Sequence, residues 1–197
     1  MIPRHLLIAV IVTLVAALGM SFFLWRMRAP GSAESSNSTL PVAPPVSGLT
    51  EQVTLYVAYD TPGVLRARSA RIPLPSGRQQ RGEELLRALL NVYEDKSSPH
   101  LLGAGSEVRD LYLVEPGLAV IDLNGAFADG HRSGILVEEL TIASLAETLS
   151  ANLPGITRIK FLVDGKDRNT LAGHADLSTP YDASAVNQLV SQLQGGE

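Results

Sequence analysis

Past residue 50 the first regular pattern is an alternation: Val53, Leu55, Val57 and Tyr59 interleave with Thr54, Tyr56 and Ala58, which predicts a strand with one buried face. Thr61-Pro62-Gly63 supplies a turn. Residues 65–74 are again extended, and Pro73 and Pro75 confine them to a sheet edge or to irregular structure. From 78 to 93 the period lengthens to that of a helix, with Leu85, Leu86, Leu89, Leu90 and Tyr93 on one side and Gly82 among them, where it admits close packing. Two short apolar runs, 108–114 and 118–123, flank Glu115-Pro116-Gly117 and predict a hairpin. A second helix is expected from about 133 to 152. Its stripe is Ile135, Ile142, Ala146, Leu149 and Leu153, widened by Leu136, Leu140 and Ala143, and Pro154-Gly155 ends it. Residues 156–163 predict a further strand, closed by the turn Asp164-Gly165. In the tail, 182–197, Val186, Leu189, Val190 and Leu193 recur at helical spacing, so a short amphipathic helix docks on the domain or enters a partner's groove. The order predicts an α+β fold, a short mixed sheet of four to six strands with two helices on one face.

Before residue 51 the pattern is different. An uncharged run of 20 residues opens at Leu6 and closes at Trp25, and as a helix it spans roughly 30 Å, the thickness of a bilayer core. It ends in Phe22, Phe23, Leu24 and Trp25, then Arg26 and Arg28. Such an exit suits an interfacial anchor better than a peptidase site, so an uncleaved transmembrane helix over 6–25 is expected. Residues 26–50 are rich in Pro, Gly and Ser and read as a tether. Arginines flank both ends of the helix, so charge alone does not orient it.

Composition narrows the chemistry. With 16 Lys and Arg against 20 Asp and Glu, the net charge of -4 and the 45% apolar content exclude a disordered or polybasic chain. The absence of cysteine excludes a disulfide framework, a thiolate metal site, a cysteine nucleophile and a lipid-carrying cysteine. The one basic cluster holds Arg66, Arg68, Arg78 and Arg81, two on one strand face and two at the start of the first helix. It offers a cationic patch for lipid headgroups, anionic wall polymer or an acidic partner, or else protects a sheet edge.

Several segments resemble the GerMN domain of bacterial sporulation and spore-germination proteins. They are residues 138–149, Leu153-Pro154-Gly155-Ile156, Phe161-Leu162-Val163-Asp164-Gly165-Lys166 and the stretch from Leu171-Ala172-Gly173-His174 through Ala175-Asp176-Leu177-Ser178, with Val120-Ile121-Asp122-Leu123 in the middle. The likeness covers about 51–181. It implies a fold similar to ring-building motifs, no established catalysis, and an extracytoplasmic domain tethered to the inner membrane, with residues 1–5 cytoplasmic. This chain has one copy where some members have two, and a helix anchor where many carry lipid.

Site candidates follow from residue chemistry. His174 and Asp176, two residues apart on an extended segment, project to one side and need a third ligand to hold a metal. Bonding to the irregular backbone is their alternative role. Glu138 and Glu139 lie near the apolar stripe of the second helix, where burial would raise a carboxyl pKa and make a general acid; their place in its first turns also favours a stabilising charge. Asp122 and Asp164 form a nominal carboxylate pair, although a turn accounts for Asp164. His100 and His131 fall in loops without metal-ligand spacing. No nucleophile elbow or phosphate loop is present, and the acidic domain does not suit nucleic acid. The expectation is a non-enzymatic, cofactor-free envelope module acting through protein partners or self-association. A peptidoglycan- or polymer-binding module and a carboxylate-dependent wall enzyme are the alternatives.

Overall fold

Strands β1 (Thr50–Tyr59) and β2 (Val64–Pro73) pair antiparallel over their full length, Thr50 opposite Pro73 and Tyr59 opposite Val64. As the alternation predicts, Val53, Leu55 and Val57 are buried. Helix α1 (Arg78–Glu94) follows, then β3 (Val108–Val114) and β4 (Leu118–Leu123), joined by the expected tight turn in which Gly117 has φ +78. A Cβ at Gly117 would lie 2.7 Å from the Gly155 carbonyl oxygen, so the position needs glycine for space as well as for φ. Next come a one-turn helix α2 (Gly125–Asp129), α3 (Ile135–Asn152), β5 (Arg158–Val163), the two-residue β6 (Tyr181–Asp182) and α4 (Ala183–Gln194). This computed structural model describes residues 48–114 and 116–194. The anchor expected over 6–25 and nearly all of the tether lie outside the described residues. Among the described residues no helix is long and apolar enough to cross a membrane.

The single sheet expected from the sequence is corrected: among the described residues there are two. The β1–β2 hairpin stands alone, and the mixed sheet has the order β3-β4-β5-β6, with β4 parallel to β5 and the outer pairs antiparallel. The reason lies at the outer edge of β1. Thr54 donates its N–H to Asn152 Oδ1 (3.3 Å) and accepts from Asn152 Nδ2 (2.7 Å); Tyr56 donates to Thr148 Oγ1 (3.0 Å) and accepts from Ser144 Oγ (2.6 Å). Ser144, Thr148 and Asn152 recur every four residues, roughly 6 Å along a helix, which matches the roughly 6.7 Å between alternate strand residues. Helix α3 thus takes the place of a neighbouring strand, and no strand can pair there.

The hairpin edge continues at Ala58, whose buried N–H donates 2.8 Å to the Tyr93 hydroxyl, itself bonded to Ser144 Oγ. Burial pushes the Tyr93 phenol up to about 12, so it remains a hydrogen donor at every physiological pH. Tyr93→Phe leaves the Ala58 N–H unpaired in the interior. We expect a loss of about 1–2 kcal/mol in urea denaturation, and a smaller change would mean that water replaces the hydroxyl.

Residues opposite one another on paired strands share a face. On the mixed sheet Leu111, Ala119, Ile121, Leu123, Ile159 and Phe161 are buried on one face. Helices α1 and α3 both lie over that face, meeting at Gly82, where Leu111, Leu149 and Leu153 converge. The other face holds Tyr112 and Val114, 50% and 46% exposed, beside the half-buried Leu118, Val120 and Leu162. Helix α4 buries Val186 and Val190 and packs on α3 and β2, so it docks on its own domain. Ile135 and Leu136, expected in the core stripe of the second helix, are exposed: they belong to its first turn, where Leu136 lies against Gly63 of the hairpin turn and does not reach the core.

Candidate functional site

Glu138 stands in the first turn of α3 and is fully buried. Its carboxylate accepts from the backbone N–H groups of Gly134 (3.1 Å), Ala172 (3.0 Å), His174 (2.9 Å) and Ala175 (2.9 Å), and faces His174 Nδ1 at 3.0 Å. Burial pushes its pKa up, but the His174 ring and the three N–H groups of Ala172, Ala175 and His174 outweigh it and hold the carboxyl at about 2. Of the two roles weighed for Glu138, the geometry suits the stabilising charge and not the general acid. Glu138 is a clamp, ionised at neutral pH, that fastens residues 172–175 to α3. Glu139, its neighbour, is exposed.

The same clamp separates His174 from Asp176. His174 turns inward to Glu138, whereas Asp176 accepts from the Ser178 N–H (2.8 Å) and hydroxyl (2.6 Å), which hold its carboxyl below the usual range. Asp176 takes the backbone role foreseen as the alternative to metal binding. Asp122 accepts from the Gly165 N–H at 2.8 Å, and Asp164, with φ +51, accepts from the Gly125 N–H at 3.2 Å. Arg109 Nη1 lies 3.3 Å from Asp164 Oδ1 and 3.9 Å from Asp122 Oδ2, so a cation sits between the two carboxylates. They knit β3, β4 and the turn after β5.

The four arginines divide. Arg66 lies over the Tyr59 ring, 5.1 Å from its centroid, and Arg68 borders a hollow with Asn91, Asp95 and Ser97; both are exposed on β2. Arg78 donates 2.7 Å to the Pro154 carbonyl, and Arg81 pairs with Glu51. Arg68 is opposite Leu55, four residues along β1 from Glu51, roughly 13 Å away at strand rise. Arg78 and Arg81 instead line an open depression of about 730 Å³ with Leu74, Pro75 and Pro154.

A cluster of polar groups escaped the sequence reading. His100, fully buried in the loop before β3, places Nδ1 2.6 Å from Asp60 Oδ1 and Nε2 2.7 Å from Thr141 Oγ1. His131, after α2, places Nε2 2.7 Å from the same oxygen. Arg132 pairs with the second oxygen of Asp60. The available signal was the run Thr141, Ser144, Thr148 and Asn152, hydrogen-bonding residues at helical spacing inside an apolar helix.

Residues 54–169 match the Germane family, described as "Sporulation and spore germination". No curated protein sequence matches the chain. The tandem GerMN domains of the sporulation protein GerM from Bacillus subtilis share its fold with a TM-score of 0.53 at 16% identity, over 70% of this chain and 48% of that one. The first GerMN domain of GerM aligns with a TM-score of 0.44 at 16% identity (66% and 94% covered), and a "Putative Lipoprotein" from Clostridium perfringens with 0.47 at 18% identity (75% and 96%). The family match takes in β4, α3 and β5, the elements that carry most of the resemblance seen in the sequence, and stops short of residues 171–178. With more than half of its 197 residues inside that match, the chain belongs to the Germane family.

Proposed function

We propose that this protein is a membrane-tethered, extracytoplasmic module of the bacterial cell envelope, serving sporulation, germination or wall biogenesis, and that it works by binding a protein partner or further copies of itself. The observation that carries the reading is the open face of the mixed sheet. Tyr112 and Val114 stand half exposed there, on the side away from α1 and α3, with Leu118, Val120 and Leu162 around them. Exposed aromatic and aliphatic groups on a rigid sheet are the kind of surface that protein partners cover. The apolar run over 6–25 and the tether behind it supply the membrane attachment, and the family description supplies the context. Glu138 and Asp122, the carboxylates with most claim to acid chemistry, are held in fixed hydrogen bonds, which supports a role without catalysis.

The test is sedimentation of the full chain in detergent across concentration, alone and with envelope extract from its host. We expect association that weakens at least thirtyfold in Tyr112→Lys/Val114→Lys, about 2 kcal/mol of contact energy. A monomer at all concentrations that captures no partner would remove this reading. Binding of peptidoglycan or an anionic wall polymer is a second reading, favoured by Arg66 and Arg68, which form no ion pair among the described residues. Pelleting with purified wall that disappears in Arg66→Ala/Arg68→Ala, and persists in the sheet-face variant, would select it.

A further inference from the structure

The domain is acidic, yet its basic side chains are not spread evenly. Residues 1–50 hold Arg4, Arg26, Arg28 and Glu34, net +2, so the -4 of the whole chain leaves -6 on residues 51–197. At the end where the described chain begins, the balance is reversed. Arg78 and Arg81, in the first turn of α1, line the open depression of about 730 Å³ together with one acidic residue, Glu51, and the exposed Arg71 stands opposite Gln52, the next residue of β1. Farther along α1 the signs change. Glu83, Glu94, Glu107 and Asp110 line the hollow between α1 and β3, where Arg87 and Arg109 are already paired with Glu84 and Asp164.

Two exposed leucines adjoin these arginines. The β1–β2 register runs one pair past Thr50 and Pro73: the Leu74 N–H donates 2.8 Å to the Leu49 carbonyl, so the two side chains share a face. Leu49 is 79% exposed and Leu74 53%, and Leu74 lines the depression with Pro75 and Pro154. A bilayer interface accepts this combination, because lipid phosphates take guanidinium groups while aliphatic side chains enter the boundary between headgroups and acyl chains. The arginines have donors to give. Of the five N–H groups on each guanidinium, Arg78 uses one on the Pro154 carbonyl, and Arg81 meets Glu51 through Nη1.

The point of chain entry selects this end of the domain. The tether read from the sequence, residues 26–47, leads directly into Gly48 and Leu49. Its 22 residues set only an upper bound, roughly 75 Å, on the distance between bilayer and domain, so attachment by itself orients nothing. Charge does, because a domain of net -6 approaches an anionic bilayer through a cationic face. Arg66 and Arg68 offer a second such face, but Arg68 is four residues up the hairpin from Glu51, and no exposed leucine stands on β2 beside them. We infer that the domain lies on the bilayer by its chain-entry end: Arg71, Arg78 and Arg81 face the phosphates of anionic phospholipid, and Leu49 and Leu74 enter the headgroup layer. This rests on the membrane attachment proposed above and names the surface that the domain turns to the lipid. The hairpin turn at 60–63, beyond the ten residues of β1, then stands roughly 30 Å off.

The test uses the full chain in nanodiscs of phosphatidylcholine, alone or mixed with phosphatidylglycerol, with a nitroxide on the lipid headgroup as quencher. The chain has no cysteine, so Ser76→Cys and Ser97→Cys each carry one fluorophore. Ser76 borders the depression, whereas Ser97 lies near Pro99, whose carbonyl accepts from the Asp60 N–H at the far end of the hairpin. In mixed discs we expect quenching at position 76 to exceed that at 97 by roughly threefold or more. Each arginine changes the docked population by roughly fivefold, so the excess should fall to near parity in Arg78→Ala/Arg81→Ala and in phosphatidylcholine alone. Leu49→Ser/Leu74→Ser should also reduce it. Equal quenching at the two positions in mixed discs, stronger quenching at 97, or an excess unmoved by both the arginine variant and the loss of anionic lipid would each overturn the inference while leaving the attachment intact. A chain that does not co-purify with the discs would overturn the attachment and this inference together. Should the arginine variant fail to fold, the comparison of the two lipid compositions decides it.

Discussion

Glu138→Leu is expected to lower stability by about 3–5 kcal/mol at pH 7, the largest loss from any single substitution considered for this domain. Leucine matches glutamate in size, so packing changes little. It leaves the N–H groups of Gly134, Ala172, His174 and Ala175 without the acceptor that now binds them at 2.9–3.1 Å. Glu138→Gln keeps one acceptor oxygen but turns an NH2 group toward donors, and should lose nearly as much. The pH dependence isolates the charge. Because the folded carboxyl titrates at about 2, below its ordinary 4.5, its contribution is present in full above pH 4.5 and is lost as pH falls through 2. That difference corresponds to roughly 3 kcal/mol. Chemical denaturation of wild type and Glu138→Gln should therefore converge between pH 4.5 and 2. A gap below 1 kcal/mol at pH 7, or one that does not narrow in acid, would show that the clamp does not carry this energy.

The same residue shows where sequence reading reaches its limit. Its place on a helix near the apolar stripe was legible, and so was the chance of burial. Three of its four backbone partners were not, because they lie 34 to 37 residues away on a segment without periodicity. Locally determined features came through: the alternation of β1, the leucine spacing of α1, the proline-glycine turn between β3 and β4, and the amphipathic α4 all depend on neighbours within a few positions. The number of sheets did not. Whether β1 finds a strand or a helix along its outer edge depends on Ser144, Thr148 and Asn152, 88 to 98 residues later for the contacts to Tyr56 and Thr54. Helix α3 is buried from Leu140 to Leu149 without interruption, so no polar face marks which side meets which neighbour. The histidine cluster was hidden for a related reason: His100 and His131 reach Thr141 from 41 and 10 residues away, out of two irregular loops. Strand β6, two residues long, is too short to show any period.

Gly82→Val is expected to destabilise the domain by about 3 kcal/mol, and Gly82→Ala by about 1–3 kcal/mol, although alanine at a helix interior is normally worth about 1 kcal/mol over glycine. The sequence placed Gly82 on the packed side of α1, and the structure gives the reason for its size. A Cβ there would lie 2.3 Å from Leu111 Cδ2, 3.1 Å from Leu153 Cδ1 and 3.7 Å from Leu149 Cδ2. All three leucines are at most 1% exposed, so none can swing into solvent to make room. The added carbon must push α1 away from α3 or from β3. A double variant separates this crowding from any change in helix propensity. In Leu111→Ala the space opposite Gly82 is vacated, so adding Gly82→Ala to that background should cost at least 1 kcal/mol less than in wild type, because the added methyl fills part of the hole. Strictly additive losses in urea denaturation would mean that Leu111 yields and that the close approach of α1 is not what fixes its position. Coupling of the expected sign would establish that the contact at Gly82 holds both long helices over one face of the mixed sheet, which is what leaves Tyr112 and Val114 on the other face uncovered.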